Sequence, residues 1–452
     1  MNRALGLAAY CTATLALGQY RVFRHLRETR AAHWLPADKL EERQRVKLGR
    51  LLDWLREHND YYGALLPDAT AQLNPMETLR TLPLLEQRTL QENGNALLTR
   101  GLRARLNRKS TGGSTGAPVT IIKDADGIAR EMAGTWAAME AYGLRVGDPA
   151  VRFWGTPLTA RRRFRFLLSD IAMNRIRLSA FDLDEEDFRA YWRRTLRFRP
   201  VWMVGYASLL HMFAQWIASN GLDGSELGLR VVMPTSEPIN DQQRAEVEAV
   251  FGVPTFDEYG AGEVGGIAYG CERGRLHVVT ENVIVEVLDE HGNAVVPGEV
   301  GEIVVTDLTN RAMPLLRYRL GDRVTLAEGC DCGRDSQALE NVLGRIHDVV
   351  YTPSGRRWHG EKIDYLMAQL FGEIGGFRQY QVIQENPDHL RVRLLTSDDI
   401  SPVLQRRIEQ YVADRLDGMS TEVERVESIE RAPSGKIQVV KNDWLPQNRQ
   451  LD

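Results

Sequence analysis

Seven consecutive residues, Ser110-Thr111-Gly112-Gly113-Ser114-Thr115-Gly116, are all glycine, serine or threonine. Glycines let backbone N–H groups close on an anion, and hydroxyls add donors at little entropic cost, so the run fits a phosphate cradle. It lacks the Gly-Lys-Ser/Thr ending of a Walker loop. A flexible linker has the same composition, but strand patterns on both sides argue for a loop inside one domain. A second set of residues can hold a metal. Cys330-Asp331-Cys332 is a Cys-x-Cys knuckle, and Cys271 and His277 lie upstream. Three thiolates and one imidazole complete a tetrahedral structural zinc site, with no coordination position left open for catalysis. Reduced thiols without a metal are the alternative.

The elements that must position these residues read as α/β. Val119 to Ile122, Val201 to Val204 and Leu229 to Met233 are short apolar runs typical of buried strands. Amphipathic helices such as Gln242 to Phe251 lie between them, which implies a largely parallel sheet. Leu48, Leu51, Leu52 and Leu55 give helical spacing over Leu40 to Tyr62. From Leu276 to Leu326 the texture changes to short strands with turns at His291-Gly292-Asn293 and Pro297-Gly298-Glu299. After Gly344-Arg345 the spacing predicts a glycine turn at Gly355, a helix over Lys362 to Leu370, a hairpin over Arg378 to Thr396, a helix over Pro402 to Leu416 and a final strand.

Six segments in order resemble the adenylate-forming superfamily of acyl-CoA synthetases, adenylation domains and luciferases. They are the Ser110–Gly116 loop, Thr235-Ser236-Glu237-Pro238, Glu258-Tyr259-Gly260-Ala261-Gly262-Glu263, Arg317-Tyr318-Arg319-Leu320-Gly321-Asp322, Gly344-Arg345-Ile346-His347-Asp348 and Pro433-Ser434-Gly435-Lys436. The resemblance spans roughly residues 33 to 441, and Met313-Pro314-Leu315-Leu316-Arg317-Tyr318 is nearest to phenylacetate–CoA ligases and relatives encoded with capsular polysaccharide genes. It implies a large N-terminal α/β domain over 33–345 with mostly parallel sheets and a small β-subdomain. A small mobile α+β domain over 346–452 would follow, and an apolar and basic helical extension over 1–32 would precede.

The resemblance also implies roles. Ser110, Thr111, Gly112, Gly113, Ser114, Thr115 and Gly116 would cradle the departing pyrophosphate of ATP. Ser236, Glu237 and Pro238 would contact adenine, and Tyr259 would offer it a flat face. Asp322 would accept from both ribose hydroxyls. Arg345 would meet ribose or phosphate near the domain junction, Glu263 would hold Mg²⁺, and Lys436 would stabilise charge where the α-phosphate and acyl carboxylate react. Trp154, Gly155, Val204, Gly205, Tyr206 and Gly260 to Gly262 would border the acyl group. Similar Cys and His positions in some phenylacetate–CoA ligase relatives agree with the zinc reading. Two departures stand out: Ala117 and Val119, where relatives often carry a lysine beside the loop's proline, and His347 in place of an acidic hinge residue.

The implied activity is conversion of a carboxylic acid to acyl-AMP with release of pyrophosphate, then transfer to a thiol, with coenzyme A as co-substrate. Delivery to a carrier protein or amine, nucleotidyltransfer that leaves AMP on its substrate, and a non-catalytic nucleotide-binding role are the alternatives. Retention of Glu263, Asp322 and Lys436 argues against the last. Composition agrees with a globular enzyme: 452 residues, 43% hydrophobic and 26% charged. A net charge of −4 gives no reason to expect nucleic acid as a partner. Four cysteines do not build a disulfide scaffold, and ATP-dependent chemistry with reduced thiols points to the cytoplasm. Lysine is scarce (Lys39, Lys47, Lys109, Lys123, Lys362, Lys436 and Lys441), so a lysine inside a motif stands out. Ala4 to Leu17 is too short to span a bilayer; with the basic stretch Arg21 to Arg30 it reads as helices packed on the protein, a membrane-surface contact or a cleaved signal. Arg161-Arg162-Arg163-Phe164-Arg165 reads as a solvated face or a contact for coenzyme A phosphates or a carrier protein.

Overall fold

The computed structural model describes residues 2–67, 74–110, 120–154, 160–179, 185–345, 349–354, 357–359, 379–396, 399–430 and 438–444, with single positions between 363 and 374. The chain divides into two compact units, residues 1–320 with 324–342, and residues 321–323 with 343–452.

Helices α1 (Arg3–Ala16) and α2 (Val22–Ala32) open the first unit. Next come α3 (Ala37–His58), α4 (Asp60–Leu65), α5 (Pro75–Thr81) and α6 (Gln87–Asn93). The continuous helix expected from Leu40 to Tyr62 is broken at Asn59, whose backbone is extended. Its side chain accepts from the Tyr62 N–H, so a new N-cap outcompetes continuation. Strands β1 (Leu106–Ser110) and β2 (Thr120–Asp124) form an antiparallel hairpin, and α7 (Ala125–Glu140) follows, N-capped by Asp124. The opening helices dock on α7: Trp136 Nε1 donates to Tyr10 Oη at 3.1 Å, His25 Nε2 lies 3.0 Å from Asp126, and Arg30 pairs with Glu140.

Strand and helix then alternate: β3 (Ala150–Trp154), α8 (Ala160–Ala172), β4 (Arg175–Ser179), α9 (Glu185–Phe198), β5 (Trp202–Tyr206), α10 (Ala207–Ser219), β6 (Val231–Thr235), α11 (Asp241–Phe251) and β7 (Glu258–Ala261). Alternate residues of these strands feed two cores. Val151, Phe153 and Met203 pack with α9 and α10, whereas Ala150, Trp202, Val204, Val231 and Met233 pack with α7. Burial on both faces is why the strands read as nearly unbroken apolar runs.

Six further strands complete the first sheet: β8 (Gly265–Gly270), β9 (Leu276–Val278), β10 (Val283–Leu288), β11 (Val300–Asp307), β12 (Tyr318–Leu326) and β13 (Ala338–Arg345). Its order among the described residues is β10-β11-β12-β13-β9-β8-β7-β6-β5-β3-β4. Neighbours from β4 to β7 pair parallel, whereas β7–β8, β8–β9, β9–β13 and β10–β11 pair antiparallel. The turn-rich strands thus extend the parallel sheet sideways.

The second unit contains a short hairpin, β14 (Val349–Tyr351) with β15 (Arg357–His359), and a four-stranded sheet. That sheet is ordered β18 (Ser420–Val426), β17 (His389–Leu395), β16 (Gln379–Asn386), β19 (Val440–Asn442). Helix α12 (Pro402–Arg415) buries Ile408 and Val412 against Val382, Leu390, Val392 and Leu394. The expected hairpin and second helix are present; the expected helix over 362–370 lies mostly outside the described residues. The fold is α/β with a smaller α+β unit.

Candidate functional site

Parallel strands direct their carboxyl ends to one edge, where ligands of such sheets bind. Here β3 ends at Trp154, β5 at Tyr206 and β6 at Thr235. The Trp154 and Tyr206 rings stack with centroids 4.7 Å apart, and the Arg152 guanidinium lies 3.9 Å from the Trp154 ring centre. Gly205 is required between them, because a Cβ there would stand 2.7 Å from the Phe153 Cβ. After β6 the turn holds Ser236 in the left-handed region at φ 70°, a conformation unfavourable for serine. Glu237 accepts from the Ser208 N–H at 3.0 Å, so its carboxylate ties the turn to the start of α10.

Thr235 lies in register with Glu258 across β6 and β7, and their side chains are hydrogen-bonded. Glu258 also accepts from Tyr269 Oη at 3.2 Å, and Tyr269 Oη lies 2.7 Å from Thr135 Oγ1. Burial pushes the Glu258 carboxyl above its ordinary range. Tyr259 is nine-tenths buried and packs in the same apolar cluster as Tyr318 and Val264. Glu263 sits half-buried in the β7–β8 turn, its Oε1 3.5 Å from Tyr318 Oη.

An ion network absent from the sequence reading lies beneath this turn. Lys123 on β2 is 2% exposed; its Nζ donates to Glu131 at 2.8 Å and to the carbonyl of Val264, next to Glu263, at 2.6 Å. Lys109, beside the serine-threonine-glycine run, lies 3.6 Å from the same Glu131. Burial alone would lower the Lys123 ammonium, but Glu131, Asp307 and Glu263 outweigh it and hold it above its usual value. Burial likewise opposes ionisation of Glu131, and Lys123 and Lys109 win, keeping it below the ordinary carboxylate range. Gly265, at φ 106°, makes room: a Cβ there would stand 2.3 Å from the Glu131 carboxyl carbon. The available signal was a lysine inside an apolar strand.

Arg152 was also missed. Its Nε is buried without a hydrogen-bond partner. Burial, with Arg175 and Arg177 nearby, lowers its pKa to about 9. Arg175 and Arg177 share Asp170, at 2.6 and 3.0 Å.

Other expected site residues fall differently. Thr111 to Gly116, His347, Asp348 and Lys436 lie outside the described residues, as do Gly155 and the side chains of Ser110 and Arg345. Strands β1 and β2 nevertheless bracket the loop, with Ser110 opposite Thr120. Asp322 is half-buried on β12, within the stretch grouped with the second unit. A cavity of about 450 Å³ is lined by Arg3, Leu7, Phe23, Leu26, Arg30, Glu140 and residues 143–146, none of them at the strand ends.

The ligand atoms of Cys271, His277, Cys330 and Cys332 all lie within 4.8 Å of one another. Cys271 Sγ is 3.5 Å from Cys330 Sγ, well beyond disulfide length, and Cys332 Sγ is 3.2 Å from His277 Nε2. His277 Nδ1 lies 3.0 Å from Ser336 Oγ, which fixes the ring so that Nε2 faces the thiols. The donor set and its spacing fit a tetrahedral metal such as zinc.

Residues 111–309 match the family model of AMP-binding enzymes, and residues 356–443 match that of the CapK C-terminal domain. The chain belongs to the adenylate-forming superfamily. Within it the chain falls in the phenylacetate–CoA ligase-like branch that includes CapK, and it is an AMP-forming ligase-like enzyme. Protein CapK of Staphylococcus aureus is 22% identical over 84% of this chain and 82% of its own length. A phenylacetate-coenzyme A ligase of Thermus thermophilus is 27% identical over 70% of this chain and 72% of its own length. Among solved structures, a 2-hydroxyisobutyryl-CoA ligase in the postadenylation state shares the adenylate-forming fold. It superposes with a TM-score of 0.71 at 19% identity, over 91% of each chain.

Proposed function

We propose that the enzyme activates a carboxylic acid with ATP to acyl-AMP, releases pyrophosphate, and passes the acyl group to the thiol of coenzyme A. The observation that carries this reading is the shared Glu131. Through Lys109 it reaches the base of the serine-threonine-glycine loop, and through Lys123 the turn that presents Glu263. The strand that leads into the loop and the turn that carries Glu263 are thereby joined by one ion network.

The acid's carboxylate oxygen attacks the α-phosphorus, and the bond to the bridging oxygen of pyrophosphate breaks. Such a transfer needs positioned charge more than covalent help. The backbone N–H groups of 111–116 cradle the phosphates, and Asp322 accepts from the ribose. Arg345 meets ribose or phosphate, and Lys436 neutralises charge at the α-phosphate. Glu263 holds Mg²⁺, which supplies electrostatic stabilisation of the polyphosphate. Trp154 and Tyr206 wall the acyl side. The junction at 345–348 acts as the hinge between the domains 33–345 and 346–452. Cys271, His277, Cys330 and Cys332 hold a structural zinc.

A pyrophosphate-release screen over aryl, fatty and hydroxy acids, run with and without coenzyme A, tests the proposal. An acid-dependent signal with acyl-CoA formed on adding coenzyme A is the expected result. Acyl-AMP that accumulates despite coenzyme A would redirect the second step to a carrier protein or amine. AMP left on a non-acyl product would mark nucleotidyltransfer.

A further inference from the structure

Arg152 is the one cation of β3, a strand whose other residues are Ala150, Val151, Phe153 and Trp154. Its Nε is buried and has no hydrogen-bond partner. Among the described residues no carboxylate pairs with its guanidinium. Asp170 is shared by Arg175 and Arg177 at 2.6 and 3.0 Å, and Glu258 is engaged by Tyr269 and Thr235. Arg177 lies beside Arg152 in the β3–β4 register; its side chain is 8% exposed, and its buried Nη1 has no partner either. Three arginines thus gather near one aspartate, and two of them keep a buried donor without an acceptor. Such donors cost free energy, and so does a buried charge without a partner. Water can satisfy the N–H groups but does not balance the charge, so the missing partner is an anion.

Position selects which anion. Arg152 comes two residues before Trp154, roughly 6–7 Å back from the end of the strand, and its guanidinium reaches the Trp154 ring, 3.9 Å from the ring centre. Trp154 in turn stacks on Tyr206, the pair assigned to the wall of the acyl side. Arg152 is only part-buried, so a molecule at that wall can reach it. A guanidinium held against an aromatic ring keeps in-plane N–H groups for a planar acceptor with two oxygens, which is a carboxylate. The reacting carboxylate must stay open to the α-phosphorus. A carboxylate held on Arg152 is therefore a second one.

We propose that Arg152 is a specificity-determining residue of the acyl site, and that the acid it selects carries a second carboxylate, which pairs with Arg152 while the first is adenylated. The inference rests on the proposed adenylation and on its placement of the acyl group beside Trp154. An acid with an uncharged far end leaves the arginine unpaired and is discriminated against, as a site built around a buried polar group rejects analogues that lack its partner.

Acids matched so that a methyl is replaced by a carboxylate test it: butanoate against succinate, pentanoate against glutarate, and 4-methylbenzoate against terephthalate. The full chain is read by its melting temperature, which needs no turnover, and by pyrophosphate release with ATP. At least one diacid should raise the melting temperature beyond its methyl partner and exceed that partner in kcat/KM on the order of 100-fold. In Arg152→Met both differences should collapse, the diacid losing mainly through KM, and Arg152→Lys should keep part of them. Without any acid, the melting temperature of Arg152→Met should hold or rise, because a buried cation without a partner is gone. No diacid preferred in either readout, or an unaltered preference in Arg152→Met, overturns the proposal. So does a melting temperature that falls in both variants, which makes the arginine structural. Stabilisation by ATP or coenzyme A, rather than by diacids, that Arg152→Met removes assigns the arginine to a phosphate and overturns it too. A diacid that binds without pyrophosphate release sinks the adenylation reading and leaves the subsite standing, and release without diacid preference does the reverse.

Discussion

Strands β4, β3, β5, β6 and β7 run parallel, whereas β7, β8, β9 and β13 run antiparallel within the same sheet. In the parallel part each strand returns through a helix, so the strand ends gather at one edge and can face a ligand together. Trp154, Tyr206, Thr235 and Glu258 come from four strands there. In the antiparallel part the strands are joined by turns and loops without helices, and neighbouring connections meet. Cys271 comes from the turn before β9 and His277 from β9 itself, and Cys330 and Cys332 come from the connection between β12 and β13, 59 residues on from Cys271. Parallel topology thus gathers side chains at one sheet edge, where a substrate can be met, and antiparallel topology gathers a Cys/His set able to hold an ion across two connections.

The comparison can be broken at the network under the β7–β8 turn, where the two parts meet. Lys123→Met should cost about 3–5 kcal/mol of stability in chemical denaturation, because it removes a buried cation and leaves the partly buried Glu131 charge with only the more distant Lys109. A loss under 1 kcal/mol would mean that the pair does not organise the junction.

Lys436→Ala comes next, at about 3–4 kcal/mol of transition-state stabilisation, a factor of roughly 100 to 1,000 in the adenylation rate. ATP affinity and melting temperature should hardly move, and thioester formation from synthetic acyl-AMP should survive. Adenylation at the unaltered rate would remove the lysine from the chemistry.

The antiparallel part should behave in the opposite way. Metal analysis should find about one zinc per chain. Cys330→Ser should abolish it and lower the melting temperature by several degrees, at ~2–4 °C per kcal/mol for a unit of this size. Adenylation by the surviving folded fraction should remain. Protein purified without chelators that contains no metal would overturn the zinc assignment.

The smallest expected effect concerns α2 on α7. The hydrogen bond from His25, together with Arg130 and Arg21, outweighs burial and holds Asp126 at about 2. A carboxyl depressed in the folded state contributes stability above its unfolded value, near 4, and loses it as the pH falls toward about 2. Asp126→Asn should therefore flatten the acid limb of a stability profile between about pH 4 and 2, and leave its shape near neutrality unchanged. An acid limb as steep as in the unaltered chain would show that this contact does not titrate with unfolding.

Candidate site segments are legible in the sequence where the chemistry proposed for them needs particular residue types in short runs. The glycine-serine-threonine loop, Glu258 to Glu263 and the Cys-x-Cys knuckle announce themselves locally. The Lys123–Glu131–Val264 network does not, since its members come from a strand, a helix and a turn whose meeting depends on the fold. Arg152 was hidden in an alternating strand where an arginine ordinarily marks a solvent-facing position. The helix break at Asn59 turned on a side-chain cap competing with strong periodicity on either side.

The position of β13 in the sheet bears on how the protein is made. Ordered between β12 and β9, it is, among the described residues, the strand that joins β10-β11-β12 to the rest. Without it the sheet stands as a three-stranded piece and a seven-stranded piece with open edges. A chain leaving the ribosome holds both pieces unjoined until Ala338–Arg345 has emerged, well after β9 is available. Unpaired edges of that kind recruit neighbouring chains. The nascent protein is therefore most exposed to aggregation late in synthesis, and nonsense products ending shortly before residue 338 should be far less soluble than the complete chain.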